Sequence, residues 1–450
     1  MQDLPIVLDR TRPLAVQVAE AVRAATVDGV LRPGEKLPST RDLAGRLGVS
    51  RSVTSAAYDQ LLAEGWIEGR HGSGTYVTEV PPAPASRPAR RRPAPPSALL
   101  DLYPGAASPS TVDPAAWRRA WRAAAEAPVA GRKERAGVPA MRAAVAEHLL
   151  RHRGLVVGPD AVLATGGTTA AVAEFATAAL RPGDTVGIEE PGYQRATAAF
   201  RSAGVEVLGV PVDGHGLVVD AIPAGVRAVY CTPAHQYPLG ARMTAERRVA
   251  LVRRARAERF WVLEDDYDGE FRFDVAPLPL LASLAPDAVV HLGTASKILT
   301  PGLGTGWLAG PPAVIAALDE QRRRTAAVPS PAGQQVLAAL ITHGDLARHI
   351  RRLRRILAER RALLTGALTA AGLETMGDAA GAHVVVPLPS ATAERTVVSR
   401  GAAAGLALDG LARYHLGAPA WHGITIGYAG PETAELRRVL PVLARVLASA

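Results

Sequence analysis

Apolar residues at Leu14, Val18 and Val22, four apart, predict a first amphipathic helix that ends near Gly29. Ser39 or Thr40 then caps a second helix, RDLAGRLG, which Gly48 stops. Ser50 caps a third, RSVTSAAYDQLLAEG, which ends at Gly65. The run WIEGRHGSGTYV predicts a strand, a Gly-rich tip and a returning strand. Farther along, short apolar runs (VLAT, TVGIEE, VEVLGV, RAVYCT, WVLEDD, VVHLGT) alternate with helical stretches. That alternation predicts a doubly wound, mostly parallel α/β sheet with helices on both faces. From about Asp345 a long Arg-rich helix leads into a smaller α+β unit, with strands near AHVVVPL and GITIGYA. No internal repeat interrupts the pattern.

The periodicity fails in one place. PPAPASRPARRRPAPPS lacks core-forming residues and predicts an extended, semi-rigid tether of up to roughly 50 Å. The chain therefore divides into a helical and hairpin module at 1–79, a Pro/Arg-rich linker at 80–99 and an α/β unit at 100–450. At 450 residues, 48% apolar and 21% charged, it has the mix of a soluble globular protein. No spanning run and no secretory signal are visible, which predicts a cytoplasmic protein. A single cysteine, Cys231, excludes a disulfide framework and any cysteine-based zinc site, and no metal site is predicted.

Net charge is +9, yet residues 1–79 carry nine Lys+Arg against ten Asp+Glu. Nucleic-acid binding there must come from where the charges sit. The cations are almost all arginine; the only lysines are Lys36, Lys133 and Lys297. Arginine cannot lose its proton or form a Schiff base, so each retained lysine is a candidate for chemistry.

In the first module, Gly48-Val49 sets two short helices at a steep angle. The second presents Ser50, Arg51 and Ser52 at its N-terminus, where hydroxyls, a guanidinium and free N–H groups suit phosphates and base edges of a major groove. Ser39, Arg41 and Lys36 fall where the preceding helix would approach the backbone. Arg70, His71 and the Gly72-Ser73-Gly74 tip form a slender wing able to reach a minor groove. LPSTRDLA, LGVSR, AYDQLLAEG and GSGTYV resemble the winged helix-turn-helix of the GntR family over about 65 residues. The order Val53-Thr54 departs from the family's usual Thr-Val.

In the α/β unit Lys297 follows the strand VVHLGT, among small and apolar neighbours that lower its pKa and favour attack on an aldehyde. Local sequence alone favours a lysine that reaches from a strand end to solvent, and the neighbouring motifs reverse that reading. Three further motifs lie at strand ends. Asp265, in WVLEDDYDGEF, can hold a pyridine nitrogen protonated, with Tyr267 two residues on. Gly167, Thr168 and Thr169 open a helix and offer N–H and hydroxyl groups to a phosphate. Tyr193, in EEPGYQR, offers a flat face.

These motifs resemble fold-type I pyridoxal 5'-phosphate (PLP) aminotransferases. With the first module, the chain resembles MocR/GabR-type regulators of the GntR family, through EEPGY, RAVYCTPAHQYPLG, EDDYDGEF, GTASK and DLARHIRRLRRIL. The resemblance implies Lys297 as Schiff-base lysine, Asp265 as partner of the ring nitrogen and Tyr267 on the ring hydroxyl. It puts Tyr193 on the ring face, with Gly167, Thr168, Thr169, Thr294 and Ser296 at the phosphate. His235 falls near the ring hydroxyl. It also implies a homodimer, exchanged head to tail, reading two DNA half-sites.

Three positions depart from that pattern. Gly304 stands where an arginine pairs with the phosphate. Thr425 replaces the late-strand arginine that holds a substrate carboxylate. Arg132 stands where a partner subunit's tyrosine contacts the phosphate. Three functions follow: a regulator sensing PLP or an amine or amino-acid adduct of PLP, an active aminotransferase, or a regulator with a cofactor-free scaffold. Thr425 speaks against the second, Lys297, Asp265 and Tyr267 against the third, and Gly304 for the third. The expectation is a non-enzymatic, PLP-sensing, DNA-binding regulator.

Overall fold

The structure, a computed structural model, describes residues 6, 8–70, 72–78, 99–105, 107–128 and 131–449. His71 and residues 80–98 of the expected linker lie outside the described residues. The chain divides into two compact units, Met1–Pro95 and Pro96–Ala450.

In the first unit, α1 (Leu14–Val27), α2 (Thr40–Leu47) and α3 (Arg51–Ala63) close over Val18, Val22, Leu43, Leu61 and Trp66. Val18 and Leu61 are fully buried, each worth about 1.5–3 kcal/mol against exposure to water. Ser39 caps α2, its Oγ accepting from the Asp42 N–H at 3.1 Å. Gly48 ends α2 at φ 63°, a left-handed conformation that glycine adopts without strain. Ser50 stands at the N-cap of α3 but makes no capping bond; its hydroxyl pairs with that of Ser52 at 2.7 Å. The wing is β1 (Ile67–Arg70) antiparallel to β2 (Gly74–Val77), with Arg70 opposite Gly74. A third segment joins it, unforeseen in the sequence. The Leu37 N–H donates to the Thr75 carbonyl at 2.8 Å, and the Val77 N–H to the Glu35 carbonyl at 2.9 Å.

The second unit opens with β3 (Leu100–Asp101), α4 (Pro114–Glu126) and α5 (Pro139–Arg153). Strand and helix then alternate through β4 (Val162–Thr165), α6 (Thr168–Ala179), β5 (Thr185–Glu190), α7 (Gln194–Ser202), β6 (Glu206–Asp213) and β7 (Gly216–Leu217). They continue through β8 (Ala228–Cys231), α8 (Ala245–Glu258), β9 (Trp261–Asp265), the single turn α9 (Leu281–Leu284), β10 (Val289–Thr294), α10 (Ala295–Ile298) and β11 (Gly306–Ala309). The sheet order is β4-β11-β10-β9-β8-β5-β6-β7. The pairs from β10 to β6 are parallel. β11 runs antiparallel to both β10 and β4, and β7 returns antiparallel on β6.

β4, β8, β10 and β11 are buried along their whole length, which is why they read as continuous apolar runs. Helices α6, α7 and α11 (Pro312–Thr325) cover one face through Phe175, Phe200 and Leu318. Helices α5, α8 and α12 (Pro331–Thr342) cover the other through Met141, Leu251 and Leu337. The long α13 (Asp345–Ala370) leads to β12 (His383–Pro387), α14 (Ala391–Ala403), β13 (Leu406–Ala407), β14 (Asp409–Gly410), β15 (Gly423–Gly427) and α15 (Thr433–Leu447). β12, β15 and β14 form a small antiparallel sheet, and β13 pairs parallel with β3. In the large sheet β4, β5, β8, β9 and β10 all point the same way. Their C-terminal ends share one edge, the usual place for a ligand in an open α/β sheet.

Candidate functional site

In the first unit Ser39, Arg41, Ser50, Arg51 and Ser52 are exposed at the N-termini of α2 and α3. Thr54 is completely buried. Its Oγ1 donates to the Thr40 carbonyl at 2.7 Å and the Arg51 carbonyl at 3.0 Å, tying α3 to α2. That contact gives the Val53-Thr54 order a physical role: the hydroxyl fixes the interhelical angle. Tyr58 adds a bond to the Pro38 carbonyl at 2.8 Å, and burial pushes its phenol up to about 12.

Lys36 was expected beside Arg41 but belongs to the wing, because the backbone of residues 35–37 pairs with β2. Its Nζ lies 5.9 Å from the centroid of the Tyr76 ring and the Arg70 guanidinium 4.7 Å from it. Ser73 Oγ lies 2.5 Å from the Tyr76 hydroxyl, and Gly72 and Ser73 are exposed at the tip. The wing therefore gathers two cations on one aromatic, in a form suited to a phosphate backbone.

In the second unit a cavity of about 510 Å³ opens at the shared strand ends. Gly167, Thr168, Thr169, Tyr193, Asp265, Tyr267, Thr294, Ser296 and Lys297 all line it. Gly167 caps α6 at φ 110°; a Cβ there would stand 3.6 Å from Thr294 Oγ1 and 3.9 Å from Ser296 Oγ. A helix N-terminus thus meets a cluster of hydroxyls, a cradle for a phosphate. Thr169 Oγ1 lies 3.2 Å from the Tyr193 hydroxyl, and the Tyr193 ring stands edge-on to Tyr237 at 5.8 Å.

Asp265 is buried at the end of β9. It accepts from Thr168 Oγ1 at 3.3 Å and from the Tyr230 hydroxyl. Burial pushes its carboxyl up to about 7, against the Tyr230 hydrogen bond and with the help of the Asp266 charge. Burial pulls the Lys297 ammonium below its ordinary value, opposed by Asp268 and Asp265. An amine so placed spends more time unprotonated and nucleophilic.

His235 does not line the cavity. It is buried behind Tyr267, whose hydroxyl donates to the His235 carbonyl at 3.0 Å and lies 3.1 Å from its Nδ1. The same Nδ1 lies 2.9 Å from Asp268 Oδ2. His235 is thus placed to act through Tyr267. Arg132 is exposed and off the cavity of its own chain. Gly304 is exposed at φ 58°, with nothing within 4 Å of a Cβ built there. Thr425 is completely buried in β15, its hydroxyl donating to the Asp409 carbonyl at 3.1 Å.

Sequence reasoning missed Pro104, Gly105, Arg195, Tyr237, Arg413 and Tyr414, which also line the cavity. Tyr237 and Arg195 each lay within a quoted motif, RAVYCTPAHQYPLG and EEPGYQR. Pro104-Gly105 lie in an irregular segment after β3, and Arg413-Tyr414 in a short 3-10 helix (Leu411–Tyr414) between β14 and β15; no periodicity marks either.

The family model "Bacterial regulatory proteins, gntR family" matches residues 14–77, and "Aminotransferase class I and II" matches residues 102–443. The HTH-type pyridoxine biosynthesis transcriptional regulator PdxR of Corynebacterium glutamicum is 35% identical over 98% of both chains. The probable rhizopine catabolism regulatory protein MocR of Rhizobium meliloti is 32% identical over 96% of this chain and 94% of its own. Among solved structures, Pyrococcus horikoshii kynurenine aminotransferase superposes with a TM-score of 0.71 at 24% identity, over 79% of this chain and 92% of that one. Thermus thermophilus aspartate aminotransferase with maleate gives 0.67 at 25%, over 78% and 92%. A GntR-type module and a fold-type I aminotransferase domain on one chain, aligned nearly end to end with such relatives, make this protein a MocR-type member of the GntR family of DNA-binding transcription regulators.

Proposed function

We propose that the aminotransferase-like domain holds PLP as a sensing element, bound on Lys297, and that its occupancy sets operator binding without efficient transamination. One observation carries the reading. A nucleophilic lysine, a buried carboxyl and a hydroxyl-lined helix N-terminus converge in one cavity, while the position of the carboxylate-binding arginine holds a buried threonine. The residues fit the cofactor. Gly167, Thr168, Thr169, Thr294 and Ser296 would hold the phosphate, Asp265 the proton on the ring nitrogen, and Tyr193 the ring face. Tyr267, braced by His235, would meet the ring hydroxyl. PLP supplies an aldehyde that condenses with amines and a ring that withdraws electrons. The Tyr230 and Thr168 hydroxyls orient Asp265, and Lys297 supplies the amine. No guanidinium at 425 orients a substrate acid for turnover.

Purified wild type should show an absorbance band near 420 nm that Lys297→Ala lacks, and loss of the band should change operator affinity. Gly304 supports a second reading, a scaffold without cofactor; absence of the band after incubation with PLP would favour it. In solution the chain should be a homodimer whose two winged modules read half-sites about 34 Å apart or a multiple of that.

A further inference from the structure

Lys297 faces two buried acids, and the reading above uses only Asp265. The other is Asp268, which follows Tyr267 in WVLEDDYDGEF. His235 Nδ1 lies 2.9 Å from Asp268 Oδ2, with the two side chains 1% and 2% exposed. Asp268 Oδ1 and His235 Nε2 are buried with no hydrogen-bond partner among the described residues. The backbone is drawn against the pair from two segments. A Cβ at Gly381 would stand 2.1 Å from His235 Cε1 and 2.8 Å from Asp268 Oδ2, and one at Gly240 3.1 Å from His235 Nε2. Glycine, at φ 77° and 75°, permits that approach.

A carboxylate enclosed in this way, with one oxygen bare, calls for a cation. His235 serves it as an N–H donor through Nδ1; a second N–H at Nε2 would be buried without an acceptor. His383, on β12, stands 5.0 Å from His235 ring to ring, with its Nε2 2.8 Å from the Pro238 carbonyl. Burial, with His235 beside it, pulls His383 down to about 3, so it supplies no charge. Asp266, the next acid in the motif, is turned away to Arg153 at 2.6 Å. Lys297 is the cation that Asp268 faces. Of the charges that support its ammonium against burial, that of Asp268 acts most strongly and that of Asp265 next, with Arg195 opposing both. Arg413 lines the same cavity. The phenols of Tyr193, Tyr237, Tyr267 and Tyr414 there are pushed up by burial and stay neutral, as does that of Tyr428 beside Asp268.

We propose that Asp268, held in place by His235, is the charge partner of Lys297 and keeps a proton on its nitrogen. Asp265 is thereby left to the far side of the cavity, and the two acids divide the work. His235 is a positioning residue in this arrangement: it fixes Asp268 as well as Tyr267. The competing role is packing alone, a polar pair that fills the space behind Tyr267, and it would leave the proton on Lys297 unaffected by loss of the charge.

The chain has three lysines, so each can be followed separately. Full-length protein stripped of PLP with hydroxylamine is acetylated with limiting acetic anhydride over a series of pH values, and each lysine is read by peptide mass spectrometry. Asp268→Asn should lower the midpoint at which Lys297 becomes reactive by about one pH unit or more, tenfold in proton affinity, and leave Lys36 and Lys133 unmoved. Asp265→Asn, the matched control, should lower it less. His235→Leu should act like Asp268→Asn, because a buried acid without a donor holds a proton. His235→Gln, which keeps an N–H, should recover most of the wild-type midpoint. An unmoved Lys297 midpoint in Asp268→Asn overturns the inference. So does a stoichiometric metal ion in the purified protein, since ligand atoms of His235, Asp268 and His383 come within 4.8 Å of one another and would then belong to it. A second arm rests on the cofactor reading. With PLP added, the band near 420 nm, which fades as the Lys297 nitrogen loses its proton, should fade at lower pH in Asp268→Asn than in wild type; the same pH in both counts against the inference. Absence of the band in wild type overturns the cofactor reading instead, and the labelling then judges Asp268 alone. If Asp268→Asn fails to fold, His235→Leu and His235→Gln carry the comparison: equal Lys297 midpoints overturn the inference and separated ones support it.

Discussion

Thr54→Val removes one hydroxyl from the centre of the recognition module and almost no volume. Thr54 is completely buried, and its Oγ1 donates to the carbonyls of Thr40 and Arg51 at 2.7 and 3.0 Å. Valine fills the same space, so no cavity term arises. The loss is a hydrogen bond worth about 1 kcal/mol net, a cost that rises toward about 3 kcal/mol where the buried carbonyl is left without a donor. We expect a total of about 1–2 kcal/mol, a 5- to 30-fold shift in the opening equilibrium. Because the bond crosses from α3 to α2, the loss should fall on the angle that sets Ser50, Arg51 and Ser52 relative to Arg41. Hydrogen exchange on the full-length chain, followed in peptides spanning residues 37–58, should show protection reduced by that factor, with operator affinity reduced alongside. Thr54→Ser, which keeps the hydroxyl, should recover most of the affinity. Wild-type protection in Thr54→Val would refute the argument that this hydroxyl holds the two helices.

Arg51→Ala should cost about 1–3 kcal/mol of discrimination between operator and a mismatched site if it contacts a base edge, read by competition binding at physiological salt; unaltered affinity would remove Arg51 from the reading surface. Arg132→Ala should weaken PLP binding tenfold or more if a second copy's Arg132 reaches the phosphate, and equal titrations would leave Gly304 uncompensated. Arg195→Ala is the matched control, since Arg195 lines the cavity of its own chain. Asp265 has a folded pKa of about 7 against an ordinary 3.8, so its contribution to stability is full below about 4 and lost as pH rises through about 7. Cofactor-free wild type should therefore lose melting temperature relative to Asp265→Asn across that window, and a constant difference would contradict the burial argument.

The helices and hairpin of the first unit were legible because caps and glycines punctuate them, as Ser39 and Gly48 do. Six strands of the large sheet were legible as short apolar runs, β4, β8 and β10 because they are buried along their whole length, whereas β7 and β11 were not foreseen. Nothing local marks residues 35–37 as bridging onto β2, since their pairing depends on backbone groups that every sequence possesses; Lys36 was misplaced for that reason. His235 was put one layer too close to the cavity. Spacing along the chain locates a residue near a strand end without saying whether it faces the ligand or stands behind the side chain that does. Arg413 and Tyr414 escaped notice because they enter the site from a stretch between the quoted strands AHVVVPL and GITIGYA that no quoted motif covers.

The cavity wall draws on segments from Pro104 to Tyr414. A molecule seated there touches both ends of the contour of its unit at once and must depart before that unit can unravel. At a hundredfold excess over its dissociation constant it adds about 2.7 kcal/mol to the work of unfolding. If the cavity holds a ligand as proposed, that ligand's abundance would set the lifetime of the polypeptide as well as its grip on the operator: without it the unit would be more open to proteolysis, and with it longer-lived.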